Sequence, residues 1–504
     1  MTIKVVNMIP QSMSAETNQD SEPNIAVDPT NTDHIIATAF TPAPAGGANA
    51  PVYVSTDGGN TWSLNTIVPG DGEFGTGDIT TAFAGSGGSL YAGILNGSTG
   101  ALDVLRTANP FATTPMTLLE TRAGEDQPWT VATTTTVAGT AEDRVYVGNN
   151  DFNQANGQTA TVDLSLDAAT AAAPAGFAPY QIEKRTPATQ DGPPTRVAVH
   201  SDGTVYAAFE HWGDTTNFPG FTFDVVVTRD DGWGSGATPF SNLLDSTDGN
   251  AGQRVATGLY AKWNDVMGQE RIGADLAIAV DPTNSGTVYL AYCDRVGGAT
   301  GTDWTVHVVM SSDRGQTWSQ DLRTITNAKN PALAISSNST VGLLYQEYAN
   351  STWTTVLEMT SNHWSDAPTA FTLHTASATA PTATFQPYIG DYVRLLAVGT
   401  NFYGVFCGNN TPDAANFPQG VVYQRNANWT TQTLLSTDNV TPVAISIDPF
   451  FFHWEPDATI KPIVPTGILP REPILRQPVT RTPIARYPVT PVVRQPIVPV
   501  DPAP

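Results

Sequence analysis

The octapeptide STDGGNTW, Ser55 to Trp62, returns as SSDRGQTW, Ser311 to Trp318, with Ser, Asp, Gly, Thr and Trp at the same offsets. Upstream of each copy stands a second shared segment: NIAVDPTNTDHIIATAF (Asn24 to Phe40) and AIAVDPTNSGTVYLAY (Ala277 to Tyr292) have IAVDPTN in common. The repeating unit reads strand, turn, strand, spacer, strand, Asp-containing turn, strand. Weaker copies of its opening hairpin begin at Asp78, Pro128, Thr195, Pro331 and Val393, which makes seven. Apolar and polar residues alternate in each, between Asp-Gly, Asn-Ser or Asp-Pro turns. Four strands per unit, recurring at intervals of roughly fifty to eighty residues, predict an all-β fold: a β-propeller of seven four-stranded blades. Six blades is the alternative. The copy at Asp78 has no recognisable octapeptide, and an N-terminal strand such as TIKVV can close the blade at Val393.

The octapeptide is a hairpin clasp. Its Asp accepts hydrogen bonds from backbone N–H groups of the turn, its Gly supplies conformational freedom and its Trp covers the hairpin. The structural set is Ser55, Asp57, Gly59 and Trp62 in one copy and Ser311, Asp313, Gly315 and Trp318 in the other. These boxes resemble the Asp-box, or BNR repeat, of sialidase-like β-propellers, with TRDDGWGS (Thr228 to Ser235) as a degenerate third. The segment QPYIGDYVRLLAV (Gln386 to Val398) is similar to the last blade of such proteins. The resemblance implies the propeller fold over roughly residues 20 to 440. It leaves function open, because the box occurs in sialidases, other glycosidases, lectins and non-catalytic scaffolds. Sialidase chemistry would require three arginines clamping a carboxylate, a Tyr nucleophile activated by Glu, and an Asp acid/base. The region NMIPQSMSAETNQDSEPNIAV, where the first of those arginines is expected, contains none. Arg196, Arg271 and Arg394, placed before or within first strands of later blades, are the alternative clamp, and Tyr345 with Glu347 in LLYQEY is the candidate activated pair.

The chain of 504 residues is acidic, with a formal charge of −24, which repels nucleic-acid phosphates and anionic membranes. No apolar run is long enough for a signal-peptide core or a membrane span. The expected location is therefore cytoplasmic, or extracellular or particle-associated by a non-Sec route. Cys293 and Cys407 end short apolar runs at equivalent places in the fifth and seventh blades, too far apart to be bridged.

In a propeller, residues before the first strand and after the second lie on one face, around the central channel. That rule collects a polar binding face from Asp78, Glu125, Asp126, Asp151, Glu210, His211, Asp294, Arg295, Glu347, Asp391 and Asn409. A pair of these carboxylates, with Glu210 and Asp294 as candidates, could serve as acid and base in glycoside hydrolysis. No cofactor is implied; Ca²⁺ is the one ion that the oxygen-rich stretch NNDFNQANG (Asn149 to Gly157) could suit, although it lacks EF-hand spacing.

The composition changes after Asp457, which divides the chain into a propeller, residues 1–457, and a tail, residues 458–504. The tail repeats R-x-P-[IVL]-x through Arg471, Arg476, Arg481, Arg486 and Arg494. Proline at every period predicts an extended, polyproline-like strap. Six cationic against two anionic residues give residues 461–504 a net charge of +4, leaving −28 on the rest. Such a strap can dock on the acidic disc, a neighbouring subunit or another partner. Three functions fit: a non-catalytic binding or assembly propeller, glycan-recognising and docked through its tail; a sialidase-like exo-glycosidase; or a structural subunit of a larger extracellular or particle-borne assembly.

Overall fold

The computed structural model describes residues 2–40, 52–69, 78–85, 88–96, 99–169, 176–188, 195–262, 275–301, 303–381 and 389–456. All fall within the unit Met1–Ala458. Arg271 and the five tail arginines lie outside the described residues.

Seven antiparallel four-stranded sheets form the seven blades of a β-propeller. Their first strands are Ser21–Val27, Ile79–Phe83, Glu125–Val137, Arg196–Val199, Leu276–Asp281, Ala328–Ile335 and Arg394–Val398, in blades 1 to 7. Each touches the first strand of the next blade, and that of blade 7 touches that of blade 1, so the ring is closed around these strands. Blades 1 to 6 add their strands outward in chain order. Blade 7 continues through Asn401–Asn409 and Ile447–Glu455 and takes its outermost strand, Thr2–Asn7, from the N-terminus. The strand in TIKVV thus completes a seventh blade. Among the described residues no helix is long and apolar enough to cross a membrane.

The repeated IAVDPTN makes the same turn twice. Asp28 Oδ1 accepts from Thr30 N (2.8 Å) and Thr30 Oγ1 (2.7 Å), and Asp281 does the same with Thr283 at 2.8 and 2.7 Å. Proline after the Asp presets φ for the turn. The octapeptides join third to fourth strands. In each, Ser Oγ accepts from the glycine N–H, at 2.9 Å in Gly59 and 2.8 Å in Gly315, while Asp57 and Asp313 accept from Thr61 and Thr317 N at 2.9 Å. These bonds hold both carboxyls below their ordinary pKa despite the opposing effect of burial. The turn at Thr228 to Ser235 is held differently: Asp230 Oδ1, rather than a serine hydroxyl, receives the N–H groups of Gly232 and Gly234. Thr360 Oγ1 takes the corresponding place in blade 6, accepting from Asn362 and Trp364 N. In blade 2, Thr107 Oγ1 accepts from Asn109 N. Asp57→Ala and Asp313→Ala should each lower stability by about 1 kcal/mol in chemical denaturation and leave ligand binding unchanged.

Apolar clusters fill the spaces between blades. Leu344 and Leu357 of blade 6, for example, pack against Phe402, Phe450 and Phe452 of blade 7. Gly59 shows how tightly the closing blade is set: its φ is +80°, and a Cβ there would lie 2.2 Å from the Phe451 ring. At Gly315, φ is +82° and the nearest atom would be 3.1 Å away. Gly59→Ala combines left-handed strain with overpacking, about 2–4 kcal/mol, so its melting temperature should fall further than that of Gly315→Ala. Both cysteines are buried free thiols.

Candidate functional site

Three first strands open on the same irregularity. The residue before a proline has positive φ, Glu22 (50°), Gln127 (55°) and Asn330 (55°), and the strand register shifts there. A bulge at the start of a strand re-aims the side chains that follow, and non-glycine residues of positive φ store strain that surrounding structure must hold. After Pro23, Asn24 Oδ1 accepts Thr81 N of blade 2 at 3.0 Å. After Pro128, Trp129 enters the central channel.

Trp129 organises the site. The guanidinium of Arg196, blade 4, lies 3.7 Å from its ring centroid, and that of Arg394, blade 7, lies 4.2 Å away. Tyr392 meets the same ring edge-on at 5.6 Å. Blades 3 and 7 are not neighbours, so these side chains meet across the channel. Cations over an indole face are attracted to it, more strongly where water is excluded. Arg196 also donates to Asp275 Oδ1 (2.8 Å), whereas Tyr392 donates to Asp78 Oδ1 (2.9 Å). Arg394 has no carboxylate or hydrogen-bond partner among the described residues, and its Nε is a buried donor without an acceptor. Burial, followed by the neighbouring Arg196, presses its pKa down to about 9. It therefore remains cationic at neutral pH without a counter-charge, although a buried charge requires one. Shielded from bulk water, it still exposes part of its surface to the channel.

Glu210 lies beside this group. It is buried, and burial, then the charge of Asp275, raise its pKa well above the ordinary carboxylate value. Both effects favour its protonated form. Tyr392 is held neutral, by burial and by the carboxylates of Asp78 and Glu22. Arg196, Arg394, Glu210 and Asp78, all singled out by the sequence, are brought together. Trp129 and Tyr392 were missed. The only sequence signal for Trp129 is the proline before it, which is unusual inside a strand.

The other predicted residues are placed elsewhere. Tyr345 does not pair with Glu347: its hydroxyl donates to Glu358 Oε1 on the adjacent strand at 2.9 Å, and Glu358 is bound by Arg323. Burial and the Glu358 charge raise the Tyr345 pKa, so the tyrosine is a neutral structural donor. Asp294 and Asp321 flank His307, at 3.0 and 2.9 Å, and hold its pKa up against burial. His211 pairs with Glu183 at 2.8 Å. Arg295 donates to the Gly301 carbonyl. Glu125, Asp151 and Asp163 surround Arg122, and Glu125 is pushed up to about 9 by burial and by Asp163. Asp126 accepts the Gln127 N–H at 2.9 Å, Asn409 accepts Thr411 N at 2.9 Å, and Asp391 is buried before the first strand of blade 7. Asp151 is further occupied by Asn153 and Gln154. Among the described residues no group of three His, Cys, Asp or Glu is placed to hold a metal ion.

No protein-family model matches the chain, and no curated protein matches it. Solved structures do. An α-L-arabinofuranosidase from Fusarium graminearum is 9% identical at a TM-score of 0.40, over 75% of this chain and 98% of that one. An α-L-arabinanase from Penicillium chrysogenum is 12% identical at 0.40, over 69% and 94%. A polysaccharide lyase described as an ulvan lyase is 10% identical at 0.44, over 78% and 92%. Likeness of this degree carries no argument about chemistry; the propeller assignment rests on the strand pairing.

Proposed function

We propose that the protein is a binding propeller that recognises a carboxylate-bearing saccharide where Arg196 and Arg394 meet on Trp129. The supporting observation is Arg394: a shielded guanidinium open to the channel and lacking a counter-charge among the described residues. A ligand carboxylate would supply that charge through a bidentate, charge-assisted pair. Sugar hydroxyls would find polar partners in Asp78, Asp275 and Glu210. The Asp-box resemblance agrees with glycan recognition but does not decide it. An array of sialosides, uronosides and their neutral counterparts tests this reading. Wild-type protein should retain acidic glycans selectively, and Arg394→Gln should lose at least about tenfold in affinity while keeping its melting temperature within a few degrees. Equal retention of neutral glycans would contradict it.

A second reading, an exo-glycosidase, is favoured by Glu210, a carboxyl beside the ion pair whose pKa is raised by burial and by Asp275, as proton donor. Turnover of fluorogenic sialosides or other glycosides that is lost in Glu210→Gln would establish it. In either case the tail, with Arg471, Arg476, Arg481, Arg486 and Arg494, is proposed to dock the propeller to a partner or neighbouring subunit. Truncation after Asp457 should leave a folded propeller with a smaller assembly in native mass measurement; an unchanged assembly would make the tail a linker.

A further inference from the structure

Arg394 lines two adjoining cavities of the central channel, of 270 and 520 Å³, which also share Val131, Val199, Val280, Leu396 and Ala397. The larger one reaches the turns of the first hairpins, with Pro29, Ser201 and Pro282 in its wall, and so lies toward the face opposite Glu210 and Asp275. Its walls are mainly aliphatic, and no carboxylate lines it among the described residues. Among the described residues the one carboxylate of the smaller cavity, Asp275, is bound to Arg196. The channel thus presents an apolar shaft with an uncompensated cation at its inner end. A neutral apolar molecule would leave Arg394 without a partner, and a small anion would leave the shaft wet; an anionic head on an aliphatic chain satisfies both.

We infer that the channel binds aliphatic carboxylates from the face opposite the saccharide site, with the carboxylate on Arg394 and the chain along Leu396, Ala397 and the facing valines. Such a ligand competes with a saccharide carboxylate for the same guanidinium. The competition rests on the function proposed above, whereas binding of the chain does not.

The test is calorimetric titration of the full-length protein with acetate, hexanoate, decanoate and decanol, followed by glucuronate in the presence of decanoate. Affinity should rise by up to about fourfold per methylene, so that decanoate binds at least about 100-fold tighter than acetate. Decanol should bind at least about tenfold more weakly than decanoate, and Arg394→Gln should remove that difference. Ala397→Phe should block decanoate but not glucuronate; if that variant does not fold, the chain-length series on the wild-type protein decides alone. Decanoate no tighter than acetate overturns the inference and leaves the saccharide site standing. Decanoate binding without glucuronate binding overturns the saccharide site and leaves the channel ligand standing.

Discussion

Raising the pH from 5 to 9 is expected to destabilise the protein strongly. Glu16 is buried beside Asp448, and burial followed by that second charge raises its pKa to about 8. Glu125 is raised to about 9, and Asp163 and Glu210 are raised as well, each first by burial. An acid whose folded pKa exceeds its unfolded value keeps more protons in the native state. Its stabilisation is complete below the unfolded pKa, near 4.5, and is lost as pH rises to the folded pKa. One pKa unit corresponds to about 1.4 kcal/mol, so Glu16 alone can remove on the order of 3–5 kcal/mol between pH 4.5 and 8. The opposite group, represented by Asp151 with its lowered pKa, protects the fold until the pH falls below the ordinary Asp range. Buried His374 and His453, each pressed down to about 4 first by burial, act the other way, because below pH 6.5 the unfolded chain takes up those protons before the native one does. Maximum stability should therefore lie on the acidic side of neutrality. Urea denaturation at pH 5 and 8.5 would check this, with Glu16→Gln flattening part of the slope. Stability that rises toward pH 8.5 would show that these carboxyls are not held as described.

Deleting residues 1–9 should abolish cooperative folding. Thr2–Asn7 is the strand that covers the outer edge of Ile447–Glu455, in register from Thr2 opposite Glu455 to Asn7 opposite Phe450. Val5, Val6, Met8 and Ile9 are all at most 1% exposed. At about 1.5–3 kcal/mol for each buried side chain, their loss amounts to roughly 6–12 kcal/mol, comparable to the whole stability of a typical domain. The bared strand would also offer an edge for pairing between chains. The check is size-exclusion chromatography with thermal unfolding; a monomer with an unchanged melting temperature would show that blade 7 closes without its N-terminal strand.

The blades were legible because they are written in local chemistry. VDPTN forms the same Asp-based turn at Asp28 and Asp281, and the apolar alternation around it needs no distant partner to be read as strands. The weaker turns were harder to read because other residues take the place of Ser311: Asp230 in blade 4, legible only as a degenerate copy, and Thr360 in blade 6, while Thr107 in blade 2 keeps just the bond from Asn109 N. The site was only half legible. Arg196 and Arg394 were found from their position at strand starts, but their meeting place depends on a bulge at Gln127 that brings Trp129 into the channel. LLYQEY misled for the same reason: Tyr345 and Glu347 are neighbours in sequence, yet the tyrosine hydroxyl reaches across to Glu358 on the next strand. Sequence spacing tells which side of a strand a residue occupies; it does not say which group on another strand will meet it.

The central claim is that Arg394 awaits a carboxylate. Calorimetric titration of wild-type protein and Arg394→Gln with glucuronate and with glucose, at one pH and one salt concentration, tests it most directly. The account predicts that glucuronate binds the wild type, that glucose binds at least about tenfold more weakly, and that Arg394→Gln no longer distinguishes them. Equal affinity of the wild type for both sugars, or undiminished glucuronate binding in Arg394→Gln, would contradict it.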